Sequence, residues 1–377
     1  MSGKALNLSG VEKRYNPGTA NEVRAVQDFN LTVEAGEIVA LLGSSGCGKT
    51  STLRMIAGFE EVSAGTITLG DRPVHRLKPA RRNVAMAFEG YSLYPPLTVG
   101  ENIAFALKSQ RLDRAETDRR VAEIARLLEI EDILGRHPSS VSGGQQQRTS
   151  LGRALVRQAD LHLLDEPMGQ LEPQLRAHLR GRLKHFIKER GLTAILVTHD
   201  QTEANALADR IAVMEDGVLQ QFDTPDRLKD QPANLFTGTF IGEPPMNVFS
   251  AEAGSDRGQL AFAMGGGVAL SYPESAFDPD LRDDLLTRRA VTVGIRPHAV
   301  RIADGGAEAE VLVAQWLGDQ SHIAARFAGG TIVSVAHDRA ELAKGERIGI
   351  AIAAEDLHLF DTATGKAISH GGTRVAA

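Results

Sequence analysis

The stretch Ile38-Val39-Ala40-Leu41-Leu42-Gly43-Ser44-Ser45-Gly46-Cys47-Gly48-Lys49-Thr50-Ser51-Thr52-Leu53 decides how this chain is read. It opens as a short unbroken apolar run of strand length. Gly43 to Gly48 then interrupt it, and Leu53, Ile56 and Ala57 resume at helical spacing. A strand, a glycine-rich loop and a helix in that order turn backbone N–H groups around a phosphate and add the positive end of the helix. Gly43 to Thr50 also matches GxxxxGK[ST] in full. That pattern assigns Lys49 to the β and γ phosphates of a nucleotide and the Thr50 hydroxyl to magnesium.

Two more buried-type strands follow, Leu161 to Leu164 and Thr193 to Val197. Between them Leu175, Leu179, Leu183 and Phe186 recur at helical spacing, and Gly191 supplies a stop. A strand, a crossover helix and a strand predict a parallel sheet covered by helices, the α/β class. Asp165-Glu166 ends the first of these strands, so both carboxylates point to the sheet edge that presents the phosphate loop. Asp165 is then suited to support hydrated magnesium, and Glu166 to orient and deprotonate an attacking water. Ser142-Gly143-Gly144-Gln145 opens a helix carrying Leu151, Ala154 and Leu155, which puts a hydroxyl and two unhindered amides at a helix N-terminus, a good phosphate site. Thr198-His199-Asp200 follows the third strand.

Between Glu89 and Val156 the texture is helical, with Val121, Ile124 and Leu128 on one face, and predicts a helical insertion. From about Phe240 short β-type runs take over, among them Val291 to Ile295, Glu310 to Ala314, Thr331 to Val335 and Ile348 to Ile352. The expected division is therefore a nucleotide-binding domain over 1–238 and a β domain over 239–377, joined at Gly242-Glu243-Pro244-Pro245, whose paired prolines favour an extended linker.

Composition narrows the function. The chain has 377 residues, 42 Lys+Arg against 48 Asp+Glu and a net charge of −6, so no global basic field points to nucleic acid. No apolar stretch reaches the roughly 18 to 20 residues of a membrane span. The start lacks the pattern of a secretion signal, which makes the cytoplasm the expected compartment. The single cysteine, Cys47, excludes an internal disulfide.

In order and spacing these motifs resemble the nucleotide-binding subunits of ABC transporters. Gly43, Ser44, Ser45, Gly46, Cys47, Gly48, Lys49, Thr50 and Ser51 are like the Walker A segment that binds ATP, and VSGGQQQR is like the signature. LHLLDEP is like Walker B with its catalytic glutamate, and THDQTEA like the histidine switch. In the tail, Gly294-Ile295-Arg296-Pro297, Leu317-Gly318-Asp319 and Leu357-His358-Leu359-Phe360 resemble importers of the maltose and glycerol-phosphate type, which carry an OB-like regulatory domain called TOBE.

The resemblance implies a P-loop ATPase with Mg2+ as cofactor, working as a head-to-tail dimer. Ser142, Gly143, Gly144 and Gln145 of one subunit would close on ATP held by the other. It further implies two transmembrane permease subunits, an external solute-binding protein, and a peripheral place on the cytoplasmic face of the inner membrane. Tyr15 matches the aromatic on which adenine stacks, and His199 the residue that contacts the γ phosphate. Besides Val141, which replaces the usual leucine before the signature serine, two places depart from the pattern. Glu89 stands where the family has a magnesium-binding glutamine that senses the permease, and Gly169-Gln170-Leu171-Glu172 replaces Ser-Asn-Leu-Asp at the dimer interface. Because both fall at metal and interface positions, an unlike ATPase partner is an alternative to a second copy.

Overall fold

The computed structural model describes residues 3–375. In chain order its elements begin with β1 (Leu6–Tyr15), β2 (Val23–Val33), β3 (Ile38–Gly43), α1 (Lys49–Ala57), β4 (Ala64–Leu69), β5 (Arg72–Pro73) and β6 (Val84–Ala87). Next come α2 (Val99–Phe105), α3 (Arg114–Leu128), α4 (Gly143–Leu155), β7 (Leu161–Asp165), α5 (Pro173–Glu189), β8 (Ala194–Val197), α6 (Gln201–Leu207), β9 (Arg210–Glu215) and β10 (Val218–Asp223).

A six-stranded sheet ordered β10-β9-β3-β8-β7-β6 forms the centre of the first unit, and all its pairings are parallel except β9 with β10. Every residue of β3, β7 and β8 is buried, as expected of strands covered on both faces. Register pairs Leu41 and Asp165 with Val197 of β8, so the ends of β3, β7 and β8 open on one edge. The expected helical insertion is present: among the described residues no strand interrupts the chain between β6 and β7. A second sheet, β2-β1-β4-β5, is antiparallel and was not anticipated. Register shifts between Leu8 and Arg14 interrupt the alternation along β1 that would have marked it.

The chain divides into Met1–Pro225 and Asp226–Ala377. In the second unit α7 (Pro225–Asp230) and α8 (Leu235–Phe240) precede β11 (Asn247–Asp256), β12 (Gln259–Met264), β13 (Ala269–Pro273), α9 (Pro279–Arg288), β14 (Ala290–Ile295), β15 (Arg301–Ala303) and β16 (Ala307–Trp316). Then follow β17 (Ser321–Phe327), β18 (Gly330–Ala336), β19 (Arg347–Ala351), β20 (Leu357–Asp361), β21 (Ala367–His370) and β22 (Thr373–Arg374). They build antiparallel sheets ordered β13-β12-β11-β14-β20-β21-β22 and β15-β19-β16-β17-β18 around one core that includes Phe262, Phe327, Val293 and Leu359.

The division falls ahead of the expected 238/239 for a physical reason. Arg296, beyond β14, is buried and donates to Lys229 O at 2.7 Å, to Gly238 O at 2.8 Å and to Ile241 O. The guanidinium thereby satisfies carbonyls at the C-terminal ends of α7 and α8 and ties both helices to the β unit. Gly242 to Pro245 consequently runs within this unit and is not a linker between the two.

Candidate active site

The phosphate loop is shaped by close backbone approach. A Cβ on Gly43 would meet Met214 O at 2.2 Å, and one on Gly48, whose φ is 102°, would meet Ala25 O at 2.3 Å. Only glycine fits either place. Gly48 caps α1, so Lys49, Thr50 and Ser51 form its first turn. Lys49 is buried, and its Nζ donates to Gly43 O and Ser44 O, both at 2.8 Å. Cys47 is buried in the wall of the loop, while Ser44, Ser45 and Gly46 are exposed. Tyr15 closes one side, its half-buried hydroxyl 3.0 Å from Ser51 Oγ and donating to Glu60.

Asp165 and Glu166 sit at the end of β7 on the same edge. Asp165 is 5% exposed and its Oδ1 has no hydrogen-bond partner. Burial, reinforced by the charges of Glu89 and Glu166, pushes its carboxyl up to about 6. Glu89 follows β6, whose Ala87 pairs with Leu164, and this brings the third carboxylate to the edge. Glu166 has left-handed backbone, φ 45°, and its N–H donates to Val197 O at 2.9 Å. His199 Nδ1–H donates to Glu166 Oε1 at 3.0 Å, which brings the residue expected at the water and the residue expected at the γ phosphate into contact.

At the start of α4, Ser142 Oγ accepts from Gln145 N at 3.3 Å and Gln145 Oε1 accepts from Ser142 N at 2.9 Å. This reciprocal cap holds the exposed Ser142 and Gly143 and the half-buried Gly144 in helical register. Glu172 is the residue before α5 and makes no side-chain cap bond, so the departure there leaves Pro173 to start the helix.

Three side chains outside the sequence expectation complete the site. Gln147 on α4 and Arg176 on α5 both grip the loop after β7. Arg153 donates to Tyr91 O at 3.0 Å and Ser92 O at 2.7 Å, where both residues have positive φ. Gln147 lies four residues before Leu151, hence on the buried face of α4, and a polar residue at that spacing is the signal that would have found it. No such signal exists for Arg153, whose partners are backbone carbonyls, or for Arg176, which bonds the Gly169 and Leu171 carbonyls and the Asp200 carboxylate.

A phosphate loop and an acidic strand end on one sheet edge define the P-loop class of nucleotide-hydrolysing proteins. Comparison narrows the class: residues 26–169 match the ABC transporter family, 242–300 the MalK OB fold domain and 293–360 the TOBE domain. The sn-glycerol-3-phosphate import ATP-binding protein UgpC of Chromobacterium violaceum is 39% identical over 376 residues, 98% of each chain. The trehalose/maltose import ATP-binding protein MalK of Thermococcus litoralis is 41% identical over 92% of this chain and 96% of its own. A solved ATP-binding cassette, a dimer in a post-hydrolysis state bound to ADP and Pi, is 28% identical, with a TM-score of 0.54 over 58% of this chain and 98% of its own.

The chain belongs to the family of ABC import ATP-binding subunits, and it is an ATPase. Subunits of this family dimerise and work with membrane permeases. Among the described residues no helix is long and apolar enough to cross a membrane.

Proposed function

We propose that the chain holds Mg-ATP at the edge formed by Gly43 to Ser51, Asp165 and Glu89, and hydrolyses it with Glu166 as general base. The cycle would drive uptake of a sugar, polyol or glycerol-phosphate-like solute through two membrane permease subunits. The observation that carries this reading is the 3.0 Å bond from His199 to Glu166 beside the phosphate loop.

Glu166 accepts a proton from water as the water oxygen attacks the γ phosphorus, and the bond to the bridging oxygen breaks to leave ADP. His199 fixes one carboxylate oxygen and leaves the other for the water. Lys49 exchanges its two carbonyl partners for phosphate oxygens, and Tyr15 offers a ring for adenine. Thr50, Asp165 and Glu89 would hold magnesium, which supplies charge neutralisation across the β and γ phosphates. The fit rests on the buried, unpartnered Asp165 Oδ1 at the strand end beside Glu89. Magnesium at such a site is normally completed by phosphates and water.

Ser142, Gly143, Gly144 and Gln145 would close on the nucleotide of a partner ATPase subunit, a second copy or an unlike chain. An apolar cavity of about 500 Å³, lined by Phe59, Phe88, Tyr94 and Phe105, adjoins the Tyr91 to Val99 loop and suits a permease helix at the cytoplasmic face of the membrane. Relatives named for glycerol-3-phosphate, trehalose/maltose and xylose/arabinose import support the solute class, which an external binding protein would deliver.

The test is Mg-ATP hydrolysis by the chain assembled with its permeases, beside Glu166→Gln. The variant should bind ATP and stay dimeric while hydrolysis falls at least about 100-fold. Equal rates would remove Glu166 from the role.

A further inference from the structure

The loop that carries the general base is short, and side chains grip it from two sides. Gln147 is 3% exposed and uses both ends of its carboxamide: Nε2 donates to Glu166 O at 2.8 Å, and Oε1 accepts from Gln170 N at 2.9 Å. Arg176 donates to Gly169 O at 3.2 Å and Leu171 O at 3.1 Å, and its other nitrogen donates to Asp200 Oδ2 at 3.2 Å. Asp200 adjoins His199, which is bonded to the Glu166 carboxylate. Together with the chain itself, these bonds hold Glu166 from two sides, from α4 through Gln147 and from α5 through Arg176, Asp200 and His199.

Glu166 needs that support, because its φ of 45° lies in the left-handed region that a non-glycine residue occupies only when its surroundings impose it. Glu166 O otherwise accepts only a 3.3 Å bond from Gly169 N within the same loop. Beside the Glu166 N–H bond to Val197 O of β8, Gln147 is the side chain that ties this backbone to another element. It stands on the helix whose first turn contains Gly143, Gly144 and Gln145.

We propose that Gln147 is a positioning residue for Glu166, and that its bond to Glu166 O makes the aim of the general base depend on the position of α4. Engagement of the first turn of α4 would then be felt at the base through one carboxamide. This rests on the roles given above to Glu166 and to Ser142 through Gln145.

The isosteric change Gln147→Glu separates the two bonds, because a carboxylate still accepts from Gln170 N but has no hydrogen to donate to Glu166 O. In the assembled transporter, both Gln147→Glu and Gln147→Ala should lower kcat by about 10- to 100-fold with KM for Mg-ATP unchanged. Hydrogen exchange in the full chain supplies a readout independent of turnover. The Gln170 amide should exchange faster in Gln147→Ala and remain protected in Gln147→Glu.

Wild-type kcat in Gln147→Glu would overturn the proposal, as would a rise in KM with kcat intact. An unchanged Gln170 exchange rate in Gln147→Ala would refute the clamp itself. A wild-type transporter without ATPase activity would instead fail the assignment of Glu166, and the exchange result would still decide the clamp.

Discussion

The two units treat buried charge in opposite ways. In the first, Asp165 is buried beside Glu89 and Glu166 with one oxygen unpartnered, and no basic side chain bonds to it. In the second, Arg296 is equally buried, yet carbonyls at two helix ends take up its donors, and only Nε is left over. An unpaired buried carboxylate costs stability, and it persists where a ligand is to complete it. A buried guanidinium shared among carbonyls is a structural tie. The contrast separates a site from a scaffold without reference to any motif.

The largest expected effect breaks the comparison at Asp165. Asp165→Asn should lower kcat/KM for Mg-ATP by about 100-fold or more while raising the melting temperature, because it removes one of three crowded carboxylates. Loss of both activity and stability would make Asp165 part of the scaffold.

Arg296→Met should do the reverse. It should destabilise the second unit by about 1–3 kcal/mol, through carbonyls left unpaired, with hydrolysis per folded molecule unchanged. Trp316, the only tryptophan of the chain, lies in that unit and makes its fluorescence in a urea titration the measurement.

A smaller effect comes from histidines of the second unit. His358 Nδ1 and His370 Nδ1 are 2.9 Å apart, and burial pushes the two groups down to about 3 and about 4, helped at His358 by His370 and at both by Arg296. Their folded values lie below the unfolded 6.5, so the unfolded chain binds more protons as pH falls. The stability of this unit is thus full above about 6.5 and declines as pH drops toward 4. His370→Gln should flatten that decline in melting curves followed by Trp316 emission.

The smallest effect sharpens the first unit. Glu89 is one of the charges that raise Asp165, so Glu89→Gln should move the acid limb of kcat/KM to lower pH by less than about one unit.

Much of the site was legible in one dimension because its chemistry is carried by consecutive residues at the ends of apolar strands. The phosphate loop, Asp165-Glu166, His199 and the capped start of α4 all stand in that relation to a strand or helix end. The antiparallel sheet was not legible, since bulges break its period. The break ahead of α7 was hidden too. It depends on Arg296 reaching residues far behind it in sequence, and no local pattern records that reach.

By itself, then, the sequence determined the α/β class with its β tail, the phosphate loop and the place of the carboxylate proposed to react, since spacing and strand polarity are local properties. Tertiary structure alone decided which side chains hold that carboxylate in place. Gln147 and Arg176 act on backbone groups of its loop, every residue offers such groups, and only the folded chain selects which of them lies within 3 Å or so of which partner.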